Sequence, residues 1–470
     1  MKALAQHIES LDVMVKRRAV AWIWLGVFAL LAAGILSLLL VVARTPVLQN
    51  LLPGTDFFHV ALVVHVDLSV LVWFMACAGL VWTLFGKAGH RAWDDVPVLL
   101  AVIGAVMISV APFVGAEQPL MNNYVPVLQH PWFYAGLGVL ACALLLQAIW
   151  YLHGAFRLSR PANEIDMVRC ALAVAAISTI AAVSCVAWTY WRMPSTLGGQ
   201  FYFETLFWGG GHVLQFTNTV LVLFAWLLLA WASGSRVSMS PQLGVVLFVF
   251  IAVPLVAVPW LYADGVASES ARRGFTGLMR WGGLAALPLG LVLLAALFGS
   301  RRSRAAASPL RITLLCSMSL FAAGGIIGFL IKGSNTMIPA HYHGSIVGVT
   351  LAFMGVVYYV LPQLGYTIER TRLLALQPYV YAGGQLLHIS GLAMSGGYGV
   401  QRKVAGADQV LDGVAQTVGM GMMGIGGLLA ALGGLCFLII AISALRGVRR
   451  APVMLVGSNA LRDEPLSGRA

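Results

Sequence analysis

Long apolar runs alternate with short polar breaks along the chain, at about 19–43, 57–86, 95–116, 130–156, 166–191, 201–232, 243–262, 278–299, 310–331, 338–364, 374–395 and 414–446. A helix rises about 1.5 Å per residue, so about 20 apolar residues cross the roughly 30 Å of hydrocarbon in a bilayer. Most of the runs meet that length. The pattern predicts an all-α, polytopic integral membrane protein of about twelve transmembrane helices. Residues 1–18 would form a cytoplasmic N-terminal segment, 19–446 the membrane domain, and 447–470 a short, polar, disordered cytoplasmic tail. The first run is long, follows Lys16-Arg17-Arg18 and lacks a small-residue cleavage site. It predicts a retained span rather than a removed signal peptide.

Composition agrees with this pattern. Of 470 residues, 60% are hydrophobic and 10% charged, too apolar for a water-soluble domain. The six cysteines show no CxxC or CxxCH spacing, which argues against a disulfide framework, a zinc site and covalent haem attachment. The 29 Lys and Arg against 17 Asp and Glu could suggest a nucleic-acid partner, but their placement does not. With the N-terminus in the cytoplasm, 21 basic residues lie on the inner side and 8 on the outer. The inner set includes Lys87, Arg91, Arg157, Arg160, Arg301, Arg302, Arg304, Arg449 and Arg450. The bias is a topological signal. An even number of spans puts both termini in the cytoplasm of a bacterial-type inner membrane, with the lipid bilayer as partner and no nucleic acid.

Five histidines share a depth. His65 lies some eight residues into the second run, His212 about eleven into the sixth, His341 and His343 open the tenth, and His388 lies near the outer end of the eleventh. All fall in the outer half of the bilayer on this topology. Ionisable residues inside a membrane are costly and mark functional sites by default, and neutral imidazole is a common ligand of haem iron. Residues two apart on a helix point about 200° apart, so His341 and His343 can serve two sites on opposite faces but not one metal. Spacing alone leaves both haem ligation and buried hydrogen bonding open for this pair. His59, His130 and His388 read as buried or interfacial hydrogen-bonding residues, and His7, His90 and His153 as surface.

The stretch Ala340-His341-Tyr342-His343-Gly344, continuing through AFMGVVYYVLPQLGY, resembles the tenth helix of subunit I of the haem–copper oxidases. The likeness continues through GYTIERT and LLHISGLAMSG to Gln401-Arg402-Lys403. VVHVDLSVLVWF, with His65, and LFWGGGHVLQF, with His212, resemble the second and sixth helices of that family, whose helix number is also twelve. The resemblance implies two non-covalent haems. His65 and His343 would hold a six-coordinate low-spin haem, His341 a high-spin haem with an open position, and His212 would stand where the first copper ligand stands. Arg402 and Lys403 would pair with haem propionates, unless they are an ordinary solvated loop pair.

The chain departs from the family at the copper site. No histidine lies between His212 and His341, and Arg272 and Arg273 cannot stand in, because guanidinium has no lone pair to give. Copper is therefore not expected. Phe216 stands four residues after His212, where many oxidases have a tyrosine. Gln215 is nearby, where an acidic residue would be. Val292 stands where a proton-channel lysine would be. Gly333-Ser334 replaces a His-Asp pair. Glu204, Asp67, Asp264 and Glu269 are the outer-side carboxylates that remain; Asp67 would orient a ligand, accept a proton, or reach the interface as a helix-end residue.

The expected function is that of a terminal-oxidase-type oxidoreductase. It would pass electrons from a periplasmic donor or second subunit, through the bis-histidine haem, to a haem that binds or reduces O2 or NO. The alternatives are a nitric oxide reductase-like or gas-sensing haem protein and, more distantly, a haem-free secondary transporter. A transporter would more often show internal repeats and midplane charges, which this sequence does not.

Overall fold

The computed structural model describes residues 2–49, 55–86, 92–155, 163–298 and 308–447. Twelve helices of membrane-spanning length are present among them. Eleven are strongly apolar: α1 Val13–Arg44, α2 Phe57–Phe85, α3 Trp93–Val114, α4 Pro131–Gly154, α5 Glu164–Arg192, α6 Gly199–Ala232, α7 Pro241–Tyr262, α8 Glu269–Phe298, α9 Pro309–Phe329, α10 Met337–Gln363 and α12 Val414–Arg446. The remaining one, α11 (Thr371–Gly397), is more polar and lies against α12. Eleven of the inner-side basic residues (Lys87, Arg91, Arg157, Arg160, Arg301, Arg302, Arg304, Arg449, Arg450, Arg462 and Arg469), His90, and all but the first residue of the predicted tail lie outside the described residues.

Local chemistry sets the helix starts. The Asp12 carboxylate accepts the Met14 N–H, the Asn163 side chain accepts from Ile165 and Asp166, and the Ser240 and Ser268 hydroxyls accept from Leu243 and Ala271. Each satisfies backbone donors that a first helical turn leaves unpaired. Proline opens α4, α7 and α9, where its missing N–H costs nothing. Two of these caps move a boundary. α1 starts at Val13 rather than 19, so Lys16, Arg17 and Arg18 lie within its first turns. Arg18 is buried there and donates to Asp95 at 2.6 Å and Asp94 at 3.2 Å at the start of α3. α8 starts at Glu269, nine residues before the apolar run. The segment before α1 is itself a short helix, Lys2–Glu9, whose Leu4 and Ile8 are fully buried. His7, expected at the surface, is half-buried, with its Nε2 3.0 Å from the Leu84 carbonyl and its ring stacked on Phe85.

α2, α6 and α10 form the buried centre of the bundle, while α7 and α8 lie at its periphery. The three central helices carry His65, His212, His341 and His343. Glycine brings the flanking helices close. A Cβ on Gly344 of α10 would stand 2.5 Å from the Gly324 Cα of α9. On α12, Gly419, Gly426 and Gly433 recur every seven residues, two helical turns, and so line one face. A Cβ on Gly426 would meet the His388 backbone nitrogen at 2.3 Å, and one on Gly433 the Tyr381 Cα at 2.6 Å. Small residues of this kind let membrane helices touch backbone to backbone. Between α3 and α4 a small antiparallel hairpin, β1 Pro119–Leu120 and β2 Val127–Leu128, pairs Pro119 with Leu128 and Leu120 with Val127. Its connecting residues reach α6.

Candidate functional site

The Nδ1 of all five outer-half histidines lies within hydrogen-bond distance of a backbone carbonyl: His65 with Ala33 at 2.9 Å, His212 with Trp208 at 2.6 Å, His341 with Gly324 at 2.8 Å, His343 with Pro339 at 2.9 Å and His388 with Met423 at 2.8 Å. A carbonyl only accepts, so each Nδ1 must carry the proton. Each Nε2 then keeps its lone pair. That tautomer is the one a metal-binding imidazole adopts when its second nitrogen is tied to the protein. The other histidines differ. His59 turns its Nε2 to the Lys403 carbonyl at 2.9 Å, and His130 uses its Nδ1 to accept the Trp132 N–H at 3.3 Å. Both act as hydrogen-bonding residues, as their sequence context suggests.

His341 and His343 face apart. The Gly324–Gly344 contact holds α9 close enough for His341 to bond the Gly324 carbonyl, and the imidazole lies over Gly328, where a Cβ would stand 2.6 Å from Nδ1. His343 bonds within α10, and its ring lies 5.0 Å from that of His388 on α11. His65 on α2 and Arg44 at the end of α1 are within electrostatic reach of His343 as well. His65, His343 and His388 thus gather in this part of the bundle. His388 is one imidazole more than its sequence context singles out. The shared depth of the five histidines and the LLHISGLAMSG likeness were the signs of it.

Cations gather over this end of the bundle. Arg402 donates to the Ser334 hydroxyl at 3.2 Å, and Arg44 to Gln409 Oε1 and the Gln401 carbonyl, both at 3.2 Å. Tyr342 lies within reach of both guanidiniums. Lys403 takes a left-handed backbone conformation, φ 63°, and its ammonium donates to the Met121 carbonyl at 3.0 Å. Burial, with Arg402 adding and Glu204 opposing, brings Lys403 down to about 8. Arg44 has no sequence signal beyond its place at the end of α1.

His212 stands apart from this group. It is 2% exposed, with the rings of Tyr124 and Trp208 each 4.8 Å away and Phe275 at 6.3 Å. Tyr124 comes from the hairpin loop. Asn122 accepts the Tyr124 N–H at 3.0 Å, and Asn123 donates to Glu204 through its backbone at 3.1 Å and through its side chain. Arg272 stacks over Trp208 at 4.6 Å and approaches Glu204 at 3.8 Å. Burial first, then Glu204, raises the Tyr124 phenol, which stays protonated. Among the described residues no group of three or more His, Cys, Asp or Glu side chains could hold a metal ion. Asp67 is buried at the start of a π-helical turn, Asp67–Val72, with Oδ2 unpaired among the described residues, so it does not reach the interface. Such single turns recur at functional sites.

Comparison with known proteins matches residues 17–429 to the family described as Cytochrome C and Quinol oxidase polypeptide I. The uncharacterized protein RP382 of Rickettsia prowazekii is 30% identical over 490 residues, 89% of this chain and 94% of that one. An uncharacterized protein of Aquifex aeolicus is 29% identical over 73% of this chain and 85% of its own. Among solved structures, a heme-copper terminal oxidase dimer shares the fold, with a TM-score of 0.69 at 16% identity, over 94% of this chain and 86% of that one.

Proposed function

The chain belongs to the cytochrome c and quinol oxidase polypeptide I family, and from that premise we propose that it is a two-haem membrane oxidoreductase that works without the family's copper. The single observation carrying this reading is the set of Nδ1-bonded histidines on the buried helices. Their chemistry fits haem: neutral imidazoles with free Nε2 atoms, fixed in orientation by carbonyls. His65 and His343, on facing helices, would hold one haem, and His341 a second on the other face of α10. When bound, the first would supply an electron-transfer centre and the second an open coordination position for O2 or NO.

The chain's own residues bind and orient. Arg402 and Arg44, above Tyr342, would offer charge-assisted bonds to propionates. Lys403 would do so only by giving up its Met121 carbonyl. The aromatic enclosure of His212 excludes water and leaves no second imidazole beside it, which supports a copper-free site. It also favours a second reading, in which the protein binds gas at the His341 haem without rapid turnover. α8 has no protonatable side chain between residues 281 and 299, so the proton route by that helix is closed. With the termini in the cytoplasm, the donor of electrons would be a periplasmic protein or a second subunit.

The deciding experiment is a pyridine haemochrome assay on purified protein, with two haems per chain as the expected result. Well-folded protein containing no haem would end the reading. Elemental analysis of protein purified without added metal is expected to give iron and substoichiometric copper. One copper per chain would overturn the copper-free part, and acidification by respiring vesicles would overturn the closed proton route.

A further inference from the structure

A cavity of about 390 Å³ opens beside the start of α8, lined by Trp208, Glu269, Arg272, Arg273, Arg280 and Trp281. Three guanidiniums meet there. Arg272 lies over Trp208 and near Glu204, and Arg273 pairs with Glu269 at 2.5 Å. Arg280 is paired with no carboxylate among the described residues. The cavity therefore carries net positive charge, and its Trp208 wall separates it from His212.

Its depth and its surroundings identify the occupant. Arg280 lies eighteen residues before Phe298, the last described residue of α8. At about 1.5 Å per residue this is about 27 Å, which sets Arg280 at the outer edge of a roughly 30 Å hydrocarbon core. Trp281, 67% exposed, stands at that level, where tryptophan concentrates in membrane proteins. Below it on α8, Leu284, Leu287, Leu291, Leu294 and Phe298 are all exposed, at alternating spacings of three and four residues. They form one apolar stripe directly under the guanidiniums. We infer that this cavity binds the phosphate headgroup of an anionic phospholipid, with the acyl chains lying along the α8 stripe. The phosphate meets Arg273 and Arg280, and Trp281 stands where headgroup and chain join. A free phosphate would use the charge but not the stripe; a zwitterionic lipid would use the stripe but leave the net charge uncompensated.

Native mass spectrometry of the detergent-solubilised, haem-loaded chain tests this, with phosphatidylglycerol, phosphatidylcholine and inorganic phosphate as probes. One phosphatidylglycerol should be retained at least about tenfold more strongly than phosphatidylcholine, since each basic residue at a membrane surface is worth about 1 kcal/mol to an anionic lipid. Arg273→Ala with Arg280→Ala should lose that preference, and Arg273→Lys with Arg280→Lys should keep most of it. If the alanine pair yields no folded protein, Arg280→Gln alone makes the same comparison. Equal retention by the alanine or glutamine variant would place the lipid elsewhere. Displacement by inorganic phosphate at the lipid's own concentration would show a free-anion site and overturn the lipid. Equal retention of phosphatidylcholine would remove the role of charge.

Discussion

Replacing His343 with alanine is expected to abolish the six-coordinate haem spectrum while carbon monoxide still binds at the other haem. His341→Ala is expected to do the reverse. The two residues are two positions apart, so a regular helix turns their rings about 200° away from each other. Their surroundings agree: His341 bonds the Gly324 carbonyl on α9, whereas His343 lies beside His388 on α11. Removing an axial ligand of a bis-histidine haem exposes a coordination position. Removing the one protein ligand of a five-coordinate haem releases it. Each loss should therefore approach completeness in one signal and spare the other. Indistinguishable spectra for the two variants would show that the helix does not separate two sites.

Gly426→Ala should destabilise the protein, whereas Gly421→Ala should not. Both glycines lie within α12, so helix propensity favours alanine at each by up to about 1 kcal/mol. Packing separates them. A Cβ at Gly421 meets nothing within 4 Å, whereas one at Gly426 would stand 2.3 Å from the backbone nitrogen of His388. That neighbour is backbone and cannot rotate away, so α11 must shift. Overpacking of this kind costs about 1–3 kcal/mol. The shift also moves His388 against His343, so haem content per chain should fall with the unfolding midpoint. Equal midpoints for the two variants would show that the α11–α12 contact is looser than it looks.

Much of this arrangement was legible in the order of residues, and the parts that were not share a cause. Twelve spans follow from hydropathy because the bilayer dictates helix length. The opposite facing of His341 and His343 follows from their spacing, and the family from the surrounding motif. His388 lies in the LLHISGLAMSG stretch of the same likeness, but its place beside His343 was not legible. Its closeness to His343 depends on Gly384 and Gly426 letting two helices meet, and neither glycine stands out in a chain that has 51. Tyr124 reaches His212 through a hairpin whose strands are two residues each, too short to leave a periodicity. The early starts of α1 and α8 were hidden by basic residues that read as loop. Arg18 is tolerated inside because Asp94 and Asp95, some 76 positions away, neutralise it.

The uniform bonding of the five imidazoles bears on reduction potential. In every case the partner is a carbonyl rather than a carboxylate, so each ring stays a neutral donor and none is pushed towards imidazolate. Bonding behind the ligand is one of the means by which a protein tunes a haem, and here it is alike at every histidine. If two haems are held as proposed, any gap in potential between them must then arise from what differs around them. Arg44 lies within reach of both His343 and His388, with Arg402 and Lys403 nearby, and no such cluster faces His341 among the described residues. Positive charge stabilises the reduced form, so a haem held by His343 would keep its electron more tightly than ligation alone would dictate.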